Sequence, residues 1–214
     1  MNLLLLVRLF LLMTNSTNNL PGLHPPPPSD LSQRELPLFT LTAKTIFYRV
    51  HQAKYNPIYF ALSGSGRFDT AKGIIYLGID EYVAFRETIG RFSQYRLISG
   101  EEAEKRRMTE VKSKRSLSLV DLTGKGLTLL DADARLFTGS YQISQQWSKA
   151  LQDHPENPDG IYYRSRHDPS RFCLALYQIR TGSTLKTINT YDFLSDEYVN
   201  RLAAILEEYQ YGLS

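Results

Sequence analysis

The pattern of apolar and polar positions divides the chain into a leader, a linker and one folded unit. Residues 2–13, NLLLLVRLFLLM, are apolar except for Asn2 and Arg8. The run is shorter than the roughly 20 apolar residues that span a bilayer. It has the length of a signal-peptide core, but no positive charge precedes it, Arg8 interrupts it and no small-x-small cleavage site follows. A helical extension, a translation-start artefact or an oligomer contact accounts for it without export. Residues 14–38 are rich in Asn, Ser and Pro, with Pro25 to Pro28 consecutive. That composition predicts an extended or flexible polyproline linker with no core of its own. The folded domain is therefore expected to begin near Leu38, leaving residues 1–37 as leader and 38–214 as the domain.

Within the domain, FTLTAKTIFYRV from Phe39 to Val50 contains an alternating segment of β-branched and aromatic residues that predicts a strand, ended by Arg49. Residues 51–63 read as irregular, with a turn at Asn56-Pro57. Gly73 to Leu77 is an apolar run of strand length, broken by Gly78 and Asp80. Asp80 suits an N-cap, because its carboxylate can accept from the free amides of a first helical turn. The helix is expected from Glu81 to Ile89, with Gly90 stopping it. Val83, Ala84 and Glu87 fall on one side of it. Periodicity leaves two readings of Glu87: a carboxylate turned inward, or a surface pair with Arg91 at i+4.

Tyr95 to Ile98 reads as a short strand. Residues 101–115, EEAEKRRMTEVKSKR, read as a solvated helix or mobile loop. Leu117 to Leu122 alternates like a strand, and Gly124 with Gly126 closes a turn. Tyr141 to Leu151 predicts a helix with Ile143, Trp147 and Leu151 on its core face. Ile161 to Tyr163 and Phe172 to Ile179 flank a polar turn and read as a hairpin. Ser195 is placed to cap a last helix from about Asp196 to Tyr209, packed through Leu202, Ile205, Leu206 and Tyr209. Interspersed strands and helices predict an α/β (α+β) fold: one domain with a twisted mixed sheet and flanking helices.

A length of 214 residues suits one domain with a sizeable core, and 42% hydrophobic with 22% charged residues is ordinary for a globular protein. A net charge of +3 fits an anionic small molecule as well as a nucleic acid. The 101–115 run mixes acidic and basic residues, which argues against a nucleic-acid patch. The single cysteine, Cys173, allows no internal disulfide and suits a reducing compartment. It lies in FCLALY, where a buried small hydrophobe is the simpler reading. His24, His51, His154 and His167 are scattered without metal-ligand spacing. DLTGKGLT lacks the spacing of a phosphate loop. Gly-Ser-Gly at 64–66 neither follows a strand nor opens a helix, as a dinucleotide fingerprint would.

Five elements recur in a meaningful order. They are Tyr48-Arg49, Gly66-Arg67-Phe68, a strand ending Tyr76-Leu77, Ala84-x-x-Glu87 in a helix, and Asp159-Gly160-Ile161-x-Tyr163-x-Ser165-Arg166 before an apolar strand. Together, across roughly Phe47 to Tyr177, they resemble the RES domain, named for an arginine, a glutamate and a serine. The resemblance puts the arginine on Arg49, the Gly-Arg-aromatic element on Arg67 and Phe68, the strand tyrosine on Tyr76, the glutamate on Glu87 and the serine on Ser165. It implies an ADP-ribosyltransferase-like fold and a cytoplasmic bacterial toxin that consumes NAD⁺ by phosphorolysis or hydrolysis, with ADP-ribose transfer to a protein in some members. It also implies a helix-turn-helix antitoxin that occludes the active site. From the scattered histidines and the short apolar run, no metal and no membrane partner are expected. Asp69 departs from the family pattern, which has asparagine after the aromatic residue, and adds anionic character near the pocket.

The residue types suit that chemistry. Breaking the nicotinamide–ribose bond leaves positive charge on the ribose, which a carboxylate stabilises; Glu87 is the candidate. The pyrophosphate asks for bidentate guanidinium donors, Arg49 first and Arg67 second. The cationic nicotinamide ring asks for an aromatic face, Tyr76 with Tyr48 behind it. Ser165 is expected to hydrogen-bond the nicotinamide or its ribose; no Ser-His-Asp arrangement surrounds it, so it is not read as a nucleophile. Two other readings share the sequence: a protein ADP-ribosyltransferase using the same pocket, and a non-enzymatic nucleic-acid or protein interaction module.

Overall fold

A computed structural model of the protein describes residues 24–90 and 95–214. Its framework is an eight-stranded mixed sheet. The strands are β1 (Leu38–Leu41), β2 (Ile46–Gln52), β3 (Ile74–Gly78), β5 (Arg106–Ser113), β6 (Leu117–Leu122), β7 (Gly160–Arg164), β8 (Phe172–Tyr177) and β9 (Leu185–Asp192), in the order β1-β6-β7-β8-β3-β2-β5-β9. Every neighbouring pair is antiparallel except β6–β7. Two short strands, β4 (Leu97–Ile98) and β10 (Gly212–Leu213), pair separately. The helices are α1 (Glu81–Thr88), α2 (Gly100–Glu104), α3 (Gly124–Leu129), α4 (Arg135–Thr138), α5 (Tyr141–Gln152), α6 (Gln178–Thr181) and α7 (Val199–Glu208).

Both sheet faces are covered, and the strand sequences follow from that. In β3, Ile74 and Tyr76 point to a core shared with Trp147 and Leu151 of α5, while Ile75 and Leu77 point the other way. In β8, Cys173, Ala175 and Tyr177 fill the first core and Leu174 and Leu176 the second, which explains an unbroken apolar run. The second core also holds Phe47 and Val111, with Ile58 and Phe60 of the 53–63 loop packed against it. A third cluster lies under α1 and α7, where Phe85, Leu202 and Ile205 meet Val50 and Met108.

Several expectations are corrected. The segment Phe39 to Val50 is two strands, β1 and β2, separated by a turn in which Thr45 N–H donates to Thr42 at 3.0 Å. Arg49 therefore sits inside β2 rather than ending a strand. Residues 101–115 are neither a solvated helix nor a mobile loop beyond the one turn of α2. Most of them form β5, paired on both sides by β2 and β9, with Met108 and Val111 fully buried. Its charges are met by partners remote in sequence: Glu110 by Arg201 at 3.2 Å and Asn189 at 2.7 Å, and Arg107 by Asp192.

The proline-rich stretch is docked, not a free linker. Trp147 Nε1 donates to the Pro25 carbonyl at 2.9 Å, Leu36 N–H to Glu156 Oε1 at 2.8 Å, and His24, Leu31 and Leu36 are buried. The packed chain thus reaches back at least to His24. Gly124 and Gly126 lie in α3 rather than in a simple turn. The last helix starts at Val199, and the Ser195 hydroxyl donates to Asp192 O instead of capping it. The apolar run 2–13 lies outside the described residues. Among those described, no helix is long and apolar enough to cross a membrane.

Candidate active site

The loop before β3, β3 itself and α1 form one wall of a cleft. β2 and β3 pair only at Tyr48 and Gly78. Beside that point the strands diverge, and a cleft of about 310 Å³ is lined from both. That volume is within the range of small-molecule sites. Asp80 caps α1 by accepting from Val83 N–H at 2.8 Å. Gly78 lets α1 approach β3, since a Cβ there would lie 2.6 Å from Val83 Cγ1 and 2.9 Å from the Ala84 amide nitrogen. This close packing turns Val83, Ala84, Glu87 and Thr88 toward the cleft.

Glu87 lines the cleft, and the inward reading of its carboxylate holds. The alternative partner, Arg91, lies outside the described residues. Glu87 Oε1 accepts from the Ser165 hydroxyl at 2.5 Å, and Oε2 has no hydrogen-bond partner among the described residues. Ser165 differs from its expected role. It is 1% exposed and is not among the residues lining the cleft. Its oxygen accepts from His167 N–H at 3.1 Å and Asp168 N–H at 2.9 Å, so its hydrogen is aimed at Glu87. Ser165 thus orients the carboxylate from behind.

Arg49 and Arg67 both line the cleft and have no carboxylate partner among the described residues. Arg49 Nη1 donates to the carbonyls of Pro57 at 2.9 Å and Tyr59 at 3.0 Å. Burial pulls its pKa down to about 10, so it remains a cation at neutral pH. Arg67 Nη1 donates to Gly139 O at 3.1 Å and, at 3.4 Å, to Leu136 O and Ser144 Oγ. Its guanidinium lies 4.5 Å from the Tyr141 ring centroid. Its Nη2 is buried and has no hydrogen-bond partner among the described residues. Desolvation lowers the Arg67 pKa, and the neighbouring Arg166 cation lowers it further.

Tyr76 is tied by its hydroxyl, which accepts from Phe68 N–H at 2.8 Å and donates to Asp69 Oδ1 at 2.9 Å. Desolvation and the Asp69 charge raise its pKa above the ordinary phenol value. Tyr48 also lines the cleft, its pKa raised by burial first and Glu110 second. Cys173 is buried at the cleft floor with its thiol pushed up by desolvation, consistent with a packing role. Among the described residues, no group of His, Cys, Asp and Glu could hold a metal ion.

The structure brings Glu87, Arg49, Arg67, Tyr76 and Tyr48 to one cleft and places Ser165 just behind it. Sequence reasoning missed Phe137 and Tyr141, which reach the cleft from α4 and α5, and gave no role to Tyr163 of β7, quoted only as part of a motif. No local spacing marks Phe137 and Tyr141, because each arrives through a tertiary contact. Arg166 was part of the quoted Ser-Arg pair but was not singled out. It is exposed, lines the cleft and has no hydrogen-bond or ion-pair partner among the described residues.

The family model for the RES domain matches residues 46–194, from the first residue of β2 to just past β9. The chain belongs to the RES domain family. A search of curated proteins finds no match. Among solved structures, the chain is similar to one from the crystal structure of the M. tuberculosis MbcT–MbcA toxin–antitoxin complex. The TM-score is 0.57 at 15% identity, covering 77% of this chain and 92% of that one. This likeness is one of fold. The matched region leaves out residues 24–45, with the docked segment and β1, and helix α7, which pack against it.

Proposed function

We propose that this RES domain protein cleaves the nicotinamide–ribose bond of NAD⁺, with phosphate or water as acceptor, and acts as the toxin of a toxin–antitoxin pair. The observation that carries the reading is one cleft holding a carboxylate with an open oxygen, Glu87 Oε2, and a buried guanidinium with an open donor, Arg67 Nη2. A buried donor without a partner costs stability unless a ligand supplies the acceptor. An anion at Arg67 would supply it, and the pyrophosphate of NAD⁺ is such an anion.

In this reading Arg67 and Arg49 hold the phosphates, and the Tyr76 and Tyr48 rings border the nicotinamide. The C1′–N bond breaks with its electron pair going to the pyridinium nitrogen, so nicotinamide leaves neutral. Glu87, aimed by Ser165, stabilises the positive ribose until phosphate or water adds at C1′. A fixed carboxylate in a water-poor site stabilises that charge more than solvent does.

The similar structure is that of a toxin–antitoxin complex, which supports a protein antitoxin as partner; we place a helix-turn-helix protein in that role. The test is to incubate the purified protein with NAD⁺, with and without phosphate, and follow nicotinamide release. Release that disappears in Glu87→Ala is expected. Absence of release by the wild type overturns the proposal. An ADP-ribose adduct on a protein, found by mass spectrometry, would redirect it to ADP-ribose transfer. Salt-dependent nucleic-acid binding without NAD⁺ turnover would favour an interaction module.

A further inference from the structure

The loop carrying Arg67 is pinned by a network that the cleavage chemistry above does not use. Asp69 is 4% exposed and has no ion pair among the described residues. Its Oδ2 accepts from Gly66 N–H at 2.9 Å and its Oδ1 accepts from the Tyr76 hydroxyl at 2.9 Å. Phe68 N–H donates to the same hydroxyl at 2.8 Å. Arg67 therefore sits between two residues whose amides are both tied into the network. A Cβ at Gly66 would fall 2.3 Å from Asp69 Oδ1 and 2.6 Å from the Tyr76 oxygen, so the loop lies directly against the two side chains.

A phenol has one hydrogen to donate. Here the amide of Phe68 approaches the oxygen as a donor, so the hydrogen has to point to Asp69. We propose that Asp69 is a positioning residue that fixes this hydrogen, so that Tyr76 meets the substrate as an aromatic face and never as a hydrogen-bond donor. The hydrogen-bond assignment stands on geometry; its consequence for catalysis rests on the NAD⁺ reading. That consequence is a bias in substrate class. A pyridinium leaves as a neutral base and needs no proton when the C1′–N bond breaks. A neutral nucleobase needs one to leave, and Tyr76 cannot supply it. The site thus favours nucleotides with a cationic leaving group.

Asp69→Asn inverts the arrangement. The amide oxygen has to face Gly66 N–H, since an NH₂ there would set donor against donor. The NH₂ then points at the Tyr76 oxygen, and the phenol hydrogen turns toward the cleft. The first test reads the phenol directly, through the tyrosine Fermi doublet in Raman difference spectra, which reports whether the hydroxyl donates or accepts. Wild type minus Tyr76→Phe should show a strong donor. Asp69→Asn minus Asp69→Asn/Tyr76→Phe should not. An acceptor signature in the first difference overturns the proposal even if Asp69→Asn fails to fold, and an unchanged signature in the second also overturns it.

The second test compares NAD⁺ with the dinucleotide carrying adenine in place of nicotinamide, whose neutral base needs a proton or hydrogen-bond donor to leave. Asp69→Asn should shift the kcat/KM ratio roughly three- to tenfold toward the neutral-base substrate, the size of one hydrogen bond. The shift should vanish in Asp69→Asn/Tyr76→Phe. A merely structural role would lower both substrates alike, and an unmoved ratio overturns the positioning role. If the wild type cleaves neither substrate, the NAD⁺ reading fails, while the Raman difference still decides the hydrogen-bond assignment.

Discussion

Arg49 and Arg67 are the same side chain in the same cleft, yet they are held differently. Arg49 leaves the middle of a strand and rests on two carbonyls of the 53–63 loop, Pro57 and Tyr59. Arg67 leaves a loop and rests on Leu136 O of α4, Gly139 O and Ser144 Oγ of α5, with Tyr141 over its face. Arg49 is half-buried, whereas Arg67 is 8% exposed. Two desolvated cations with no carboxylate partner among the described residues are what an anionic ligand needs. The difference is that Arg67 also serves the fold, and Arg49 serves chiefly the cleft.

The largest effect is expected at the carboxylate between them. Glu87→Gln should lower kcat by about 10²–10³, taking a lost oxyanion-hole donor as the analogue, with thermal stability nearly unchanged. Equal losses at Glu87→Gln and at an unrelated surface glutamate would break the reading of the site. Next comes Arg67→Ala. It leaves the Leu136 carbonyl and Ser144 hydroxyl with fewer partners, so it should cost about 1–3 kcal/mol in urea unfolding as well as raising KM for NAD⁺.

Arg49→Ala should raise KM with a smaller unfolding cost, about 1 kcal/mol or less, because its bonds go to two carbonyls of a partly exposed loop rather than to helix ends. Equal unfolding costs for the two alanine variants would erase the proposed contrast. The smallest effect concerns the docked segment before β1. Burial lowers the His24 pKa from its ordinary 6.5. The unfolded chain then binds a proton at His24 before the folded one does, so stability falls as pH drops below 6.5 and levels off below the folded pKa. His51 has the same sign. His24→Gln should therefore make the fall of melting temperature with acid shallower without removing it.

How legible the site was depends on the distance between its parts. The strand–cap–helix unit Ile74 to Thr88 was readable because a β-length apolar run, an Asp cap and a helical repeat are local signals. The core face of α5 was readable for the same reason. β5 was not, because its charges mask its alternation and their partners, Arg201, Asn189 and Asp192, lie some eighty residues or more downstream. β9 escaped notice because its outer residues are polar and only its pairing with β5 makes it a strand. The segment 24–37 misled because prolines describe a backbone without saying whether anything covers it; Trp147 does.

The order of residue types from Tyr48 to Ser165 by itself determined the family and the mixed α+β fold, since both rest on motifs and periodicities written locally in the chain. It also determined that Glu87 shares a helix side with Val83 and Ala84. Tertiary structure decided which way each polar group is used. It turned the Ser165 hydroxyl to Glu87, left Arg67 Nη2 without a partner among the described residues, and directed the Tyr76 hydrogen to Asp69. The reason is physical. A hydrogen bond depends on distance and direction across the fold, and residue order carries neither.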